Sequence, residues 1–517
     1  MISPQLNLKL NPDEGLLVDL FAGGGGASTG TEKAFGRNVD IAINHNAEAI
    51  AMHRMNHPQT KHYTESVFVI DPKTATKGKR VRHLHASPDC THFSNAAADT
   101  PKDKKIRGLA WSVIHWVDET APEIITLENV VEFTTWGPLI RNEAFLNKLQ
   151  RLYPKKKLKI NRPNPARSGW FFKCFVGALR RRGYSVDWKP LRACEFGVPT
   201  TRKRLFLVAR RDGKPIQWPK QTHFSPKVAK SKSARYREAW ECIDFSIPCP
   251  SIFDRPKPYA EASNNRIAKG TVDFVLNNPD PFIVPNSNLQ IDFITENANS
   301  SSARCWSAKE PLRTQVSSVK GGHFARCSVF LTRYFGQSIG QDVMQPFPTV
   351  MPGGMGKTGL VSAFICKMRN GNIGHDMREP LHTISAGGNH HAACYAFLTK
   401  YYGTGNGSIS LKEPLHTITS KDRFGLVVVK IHGELWALCD IGYRMLQPHE
   451  LYRAMGFPKD YIIDRGLFID ENTGRYAEKK FTKVAQVRMC GNSVPPDMIE
   501  CILKANIEAP KELEVAT

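Results

Sequence analysis

Apolar and polar positions over the first 210 residues switch between two periods, the pattern of strands interleaved with helices. Leu16-Leu17-Val18-Asp19-Leu20 predicts a strand, and the small residues Ala27 to Ala34 beyond a glycine run predict a helix. Val39 to Ile43 predicts a second strand, followed by the polar Asn44-His45-Asn46 and a helix over Ala47 to Met55. The basic, apolar-alternating run Lys79 to His85 leads into turn-forming residues, Ala86 to Ser94. Helical periodicity returns at Leu109 to Asp118, and an apolar strand at Ile124 to Leu127 delivers Glu128-Asn129-Val130 at its end. A helix at Phe171 to Arg182, a strand at Tyr184 to Leu191 and the block Gly197 to Ala209 complete the alternation. The expected class is α/β, with a doubly wound, Rossmann-like sheet over residues 1–210.

Beyond position 210 the pattern changes. Glu310-Pro311-Leu312-Arg313-Thr314, Gln345-Pro346-Phe347-Pro348-Thr349, Glu379-Pro380-Leu381-His382-Thr383 and Glu413-Pro414-Leu415-His416-Thr417 recur at intervals of 34 or 35 residues. Such a period first suggests a solenoid. The units are rich in glycine, threonine and aromatic residues, which favours strands and turns over helix pairs. A smaller β-rich domain is expected over 211–440, with 441–517 returning to the first domain.

A chain of 517 residues is too long for one hydrophobic core, and 41% hydrophobic with 23% charged residues is ordinary for a globular protein. The charge is less ordinary. A formal +23 and a pI near 9.5 favour a polyanionic partner, most commonly nucleic acid. An acidic membrane surface stays open from charge alone, although no basic amphipathic helix stands out. Met1 to Leu6 carries no signal-peptide pattern and no apolar run approaches bilayer length, so a cytoplasmic location is expected. The twelve cysteines form no CxxC pair or zinc-like grouping and read as reduced thiols without metal. His390-His391 reads as a solvated or nucleic-acid-facing pair.

Four features carry candidate chemistry. Gly23 to Gly26, after a strand, permit close backbone approach and expose amide donors at a helix start; with no GK[ST] following, an adenosyl group fits better than a phosphate. Cys90 sits among polar, loop-forming neighbours, where a nucleophile must be, although most cysteines are buried small hydrophobes. Glu128 falls at a strand's carboxyl end, the rim where open α/β sheets bind ligands. Arg202 and Arg204, two apart on an extended segment, face the same way and suit an oxygen-rich substrate; exposed arginine pairs on strand edges are also common without function. Asp99 to Arg107 reads equally as a flap or a solvated loop, and the basic stretch 151–169 as a DNA-backbone contact or a solubilising insertion.

Taken in order, Asp19 to Gly26 (DLFAGGGG), Ser87 to Ser94 (SPDCTHFS), Glu128 to Val130 (ENV) and Arg202 to Arg204 (RKR) resemble signature blocks of the DNA cytosine-5 methyltransferases. Arg444 to Pro458 and Gly491 to Pro496 resemble the last two blocks. The resemblance implies a methyltransferase that moves a methyl group from S-adenosylmethionine to C5 of a flipped-out cytosine in a specific duplex DNA sequence. It implies catalytic roles for Cys90, Glu128, Asn129, Arg202 and Arg204. It implies cofactor binding by Asp19, Phe21, Ala22, Gly23, Gly25, Gly26, Asn44, His45, Glu65, Pro88, Asn492 and Ser493, without metal. The interval 211–440 then becomes a target-recognition domain, with Lys320, His323, Arg326, Lys357, Lys367, Arg369, Lys421 and Arg423 suited to a DNA-facing surface. Double-stranded DNA is the expected partner of a monomeric, bacterial or phage-encoded enzyme, and a cognate restriction endonuclease is a candidate second partner. An RNA-directed member of the family and a catalytically silent DNA-binding relative are the alternatives. Two departures stand out: Asp89 where the family has proline before its cysteine, and Thr200 where the arginine block begins with glutamine. The family's ribose-binding acid is also missing, and Asn44 or His45 is expected to substitute.

Overall fold

The computed structural model describes residues 14–88, 108–155, 158–253, 256–278, 280–284, 292–298, 304–307, 322–328, 359–367, 373–386, 390–400, 428–431, 434–470 and 473–507. The chain divides into two compact units. The first comprises Met1–Arg237, Pro380–Asn389 and Gln447–Thr517, and the second Glu238–Glu379 with His390–Leu446.

The first unit is built on a seven-stranded sheet. Its strands are β1 (Leu16–Leu20), β2 (Ile41–Ile43), β3 (Lys61–Tyr63), β4 (Val81–Ala86), β5 (Ile124–Asn129), β6 (Ser185–Arg192) and β7 (Lys203–Arg210), in the order β3-β2-β1-β4-β5-β7-β6. All pairings are parallel except those of β7, which runs antiparallel to both neighbours. Strand order reverses between β1 and β4, so their carboxyl ends diverge into the crevice where doubly wound sheets bind ligands. The long apolar runs of the sequence follow from burial on both faces. On β7, Leu205, Leu207 and Ala209 enter one core, while Phe206 and Val208 enter the other.

Helices α1 (Gly26–Phe35), α2 (Ala47–Asn56), α3 (Pro72–Thr76), α4 (Trp111–Thr120), α5 (Glu143–Leu152) and α6 (Trp170–Arg181) link these strands. Near the carboxyl end, α8 (Pro448–Ala454), α9 (Lys483–Asn492) and α10 (Pro496–Ile507) belong to the same unit. Helices α1 and α10 approach closely because Gly26 and Gly30 have no side chain. A Cβ at either would fall 2.2 Å from a backbone carbonyl, of Val494 and Pro496 respectively.

The second unit has a five-stranded sheet ordered β12-β11-β13-β15-β14 and a three-stranded one ordered β10-β8-β9, both antiparallel. Their strands are β8 (Asp292–Ala298), β9 (Arg304–Ser307), β10 (Gly322–Ser328), β11 (Gly359–Lys367), β12 (Gly374–Asp376), β13 (His391–Lys400), β14 (Val428–Ile431) and β15 (Glu434–Met445). Helix α7 (Glu261–Thr271) packs on the larger sheet, with Ile267 among Phe364, Cys366, Ala392, Cys394 and Tyr443. Of the four repeated pentapeptides only Glu379 to Thr383 falls within the described residues, and there the chain returns to the first unit at Pro380. Leu381 accepts from Thr201 N–H at 2.8 Å and donates to Pro199 at 3.0 Å, so this copy pairs with the chain just ahead of Arg202.

No helix among the described residues is long and apolar enough to cross a membrane.

Candidate active site

The carboxyl ends of β1, β4 and β5 each carry one part of the site. At β5 the antiparallel register with β7 sets Glu128 opposite Phe206. Side chains two apart on an extended strand share a face, so Arg204 and Arg202 follow Phe206 onto the side of Glu128. The Arg204 Nε lies 3.2 Å and the Arg202 Nη2 3.7 Å from Glu128 Oε1. Arg202 is nearly inaccessible and also donates to the Gly491 carbonyl at 3.0 Å, a structural commitment. Arg204 is the more open guanidinium, with 16% of its side chain exposed. Thr200 is buried, and its hydroxyl accepts from the Arg202 N–H at 3.3 Å. The departure from glutamine therefore puts a short turn-forming hydroxyl under the arginine block.

Asn129 joins two strand ends. Its Nδ2 donates to the Pro88 carbonyl at 3.0 Å while its Oδ1 accepts from Val130 N–H at 2.9 Å. The side chain thus ties the exit of β4, two residues before Cys90, to the strand bearing Glu128. Cys90 itself, Asp89 and the stretch Asp99 to Arg107 lie outside the described residues.

At β1, Phe21 adopts a left-handed φ of 63°, uncommon for a residue with a Cβ, as the chain turns into the glycine run. The glycines divide by role. A Cβ on Gly24 would meet Met52 Sδ at 2.9 Å, one on Gly25 the Tyr461 hydroxyl at 2.2 Å, and one on Gly26 the Val494 carbonyl. These three are small because the chain packs against itself. Gly23 is different: no described atom but Phe21 O, at 3.9 Å, lies near its Cβ position, and its left-handed φ of 55° itself favours glycine.

Asn44 follows β2 and is half-buried, its Oδ1 accepting from Asn46 N–H at 2.8 Å, which leaves its amide nitrogen to offer; His45 is exposed. Glu65 is exposed beyond β3, and Asn492 is exposed at the end of α9. Ser493 is buried and gives its hydroxyl proton to Met489 O at 2.9 Å.

Sequence reading missed a buried polar network beneath the glycine loop. Asp19 accepts from the Ser28 hydroxyl at 2.7 Å, Ser28 Oγ lies 2.9 Å from His53 Nε2, and His53 Nδ1 lies 2.9 Å from His62 Nε2. Burial pushes the Asp19 carboxyl up to about 7, against the lowering effect of Ser28. Its Oδ1 has no hydrogen-bond partner among the described residues. Burial holds His53 well below its usual value and His62 down to about 3. Alongside, Tyr461 donates to the Gly24 carbonyl at 2.6 Å and sits 3.2 Å from His57 Nε2, whose Nδ1 faces Glu32 at 3.0 Å. His53 on α2 and His57, the residue that caps its carboxyl end, stand one helical turn apart, and that spacing was the available signal.

Of the eight basic residues suited to a DNA-facing surface, only Lys367 has a described side chain; His323 and Arg326 are placed on β10 by backbone alone, and the others lie outside the described residues.

The family model described as C-5 cytosine-specific DNA methylase matches residues 16–152 and 166–333. The chain is 26% identical over 215 residues to the type II methyltransferase M.AgeI of Thalassovita gelatinovora, covering 41% of this chain and 43% of that protein. It is 26% identical over 214 residues to M.AquIA of Picosynechococcus, covering 40% of this chain and 76% of the relative. The chain thus spans less than half of the first relative's length. A solved prophage-encoded putative DNA modification methyltransferase of E. coli pairs at a TM-score of 0.40 and 16% identity, over 95% of this chain and 98% of that one. With the family model covering more than half of its residues, the chain belongs to the C-5 cytosine-specific DNA methylase family.

Proposed function

We propose that this chain transfers a methyl group from S-adenosylmethionine to C5 of a cytosine flipped out of duplex DNA. The observation that carries the reading is the Glu128 carboxylate between Arg204 and Arg202, joined through Asn129 to the turn that leads into Cys90. Cytosine C5 is a weak nucleophile, and a paired base hides C6, so the base must leave the stack. The Cys90 thiolate adds to C6 while Glu128 holds a proton at N3, which pushes electron density toward C5. Arg204, the more open guanidinium, faces the cytosine O2, and Arg202 fixes Glu128. Once C5 is methylated, loss of its proton expels the Cys90 thiolate and restores the ring.

S-adenosylmethionine supplies the electrophilic methyl group. The residues at the end of β1 fit it: Gly23 offers an open backbone surface, Phe21 is turned out of the strand, and α1 presents its amino-terminal N–H groups. Asp19, Phe21, Ala22, Gly23, Gly25, Gly26, Asn44, His45, Glu65, Pro88, Asn492 and Ser493 are the residues proposed to hold it, with the Asn44 amide in place of the family's ribose-binding acid. The strand-rich second unit is proposed to read the target sequence from the grooves. Similarity to type II methyltransferases supports a place beside a restriction endonuclease.

Cys90→Ala should abolish transfer of labelled methyl groups to duplex DNA. Bisulfite sequencing of DNA from cells expressing the intact chain should reveal methylcytosine at one recurring sequence. Transfer by the Cys90→Ala protein, or transfer to tRNA with none to DNA, would sink this assignment.

A further inference from the structure

The carboxyl edge of the sheet holds a concavity that Glu128 does not line. It is a cavity of about 240 Å³ with Trp111, Trp136 and Phe171 in its walls and Arg141 and Asn161 at its exposed mouth. Trp136 closes the 3₁₀ turn Val131–Thr135 that leaves β5, Trp111 opens α4, and Phe171 lies in the first turn of α6. All three therefore stand on the edge that carries Glu128. The Trp136 ring centroid is 5.5 Å from that of Trp111 and 5.7 Å from that of Phe171.

The mouth is built, not incidental. The chain after Trp136 doubles back, with Ile140 N–H on Arg162 O, Asn161 N–H on Ile140 O and Asn164 N–H on Pro138 O, each at 2.9 Å. Asn161 takes a left-handed φ of 59°, which asparagine tolerates better than most residues. The family model leaves residues 153–165, the stretch that contains Asn161, unmatched. Lys155 on this stretch and Arg141, Lys148, Arg151 and Arg167 to either side of it are exposed.

Aromatic faces bind flat rings, an amide and a guanidinium at the rim satisfy a ring's polar edge, and surrounding cations attract a polyanion. A volume below the roughly 300–1,000 Å³ of drug-sized sites suits one ring system rather than a dinucleotide. We propose that this cavity receives one unpaired nucleobase of the bound strand, other than the target cytosine, with neighbouring phosphates against these exposed cations. The proposal rests on the reading above only in taking the polyanion to be nucleic acid.

The test uses the full chain and a single-stranded 12-mer deoxyoligonucleotide carrying one 5-iodouracil, crosslinked by light and mapped by peptide mass spectrometry. Crosslinks are expected at Trp111, Trp136 or Phe171. Replacing the iodouracil nucleotide by an abasic one, which leaves the protein untouched, should weaken binding at least about fivefold, as loss of one stacked base does. Arg141→Glu, at an exposed position, should weaken it further and flatten its salt dependence. Crosslinks confined to other peptides, or equal affinity for the abasic strand, would overturn the proposal. Methyl transfer to duplex DNA is followed on the same preparation. Transfer with no crosslink at the cavity removes the nucleobase site alone, whereas a crosslink there without transfer removes the activity and leaves the site standing.

Discussion

Two acids stand at strand ends in one sheet, both withdrawn from solvent, yet their surroundings are opposite. Asp19, at the end of β1, is 1% exposed and meets the Ser28 hydroxyl and beyond it the histidine pair, with the like charge of Glu32 acting on it. Glu128, at the end of β5, is 6% exposed and lies against two guanidinium groups. Burial alone disfavours a carboxylate, and nothing ionic at Asp19 opposes it, so that carboxyl titrates near 7. Depth is common to both, so the two acids differ in the neighbours that the fold gives them. One is poised to hold a proton beneath the loop, and the other is a fixed anchor for arginines and, in the proposed reaction, for a base.

The sharpest way to break that contrast is Glu128→Gln, which preserves shape and removes the acid. Methyl transfer should fall by about 10²–10⁴-fold, the usual worth of a positioned acid or base, in protein that circular dichroism finds folded. Retained activity would mean that the two acids do not differ in kind. Next is Asp19→Asn. Because the folded carboxyl titrates above its ordinary 3.8, ionising it costs stability, and that cost grows as pH rises from about 4 to 7. The asparagine variant should therefore match wild type below pH 4 and exceed it above pH 7 by at most roughly 4 kcal/mol in chemical denaturation. His53 and His62 run the other way, their depressed values drawing stability down as pH falls below about 6.5. Both proteins share that effect, so it cancels in the difference. A flat difference across the range would show that the Asp19 carboxyl keeps its ordinary value in the folded protein. Smallest is Ser28→Ala, which removes the hydroxyl that donates to Asp19 and should cost about 1 kcal/mol while moving the Asp19 titration upward, readable by carboxyl NMR.

Much of the fold was legible because sheets buried on both faces need long apolar runs. The predicted strands at Leu16 and Ile124 and the helices at Ala47 and Phe171 agree with β1, β5, α2 and α6 to within a few residues. Glu128 at a strand end and the shared face of Arg202 and Arg204 also followed from a period of two. The glycine run was legible as the turn between a strand and a helix, whereas Met52, Tyr461 and Val494, which require three of its glycines to be small, come from other parts of the chain.

What the sequence determined by itself is local: the order of strands and helices, the placement of chemistry at strand ends, and the family blocks that name the reaction class. What only the tertiary structure decided is company. Burial, Ser28 and Glu32 set the state of Asp19, Leu381 pairs beside the arginine block, and Trp111, Trp136, Asn161 and Phe171 meet around one cavity. The physical reason is that desolvation and contact are properties of a place in space, and residues far apart along a chain acquire a common place only when it folds.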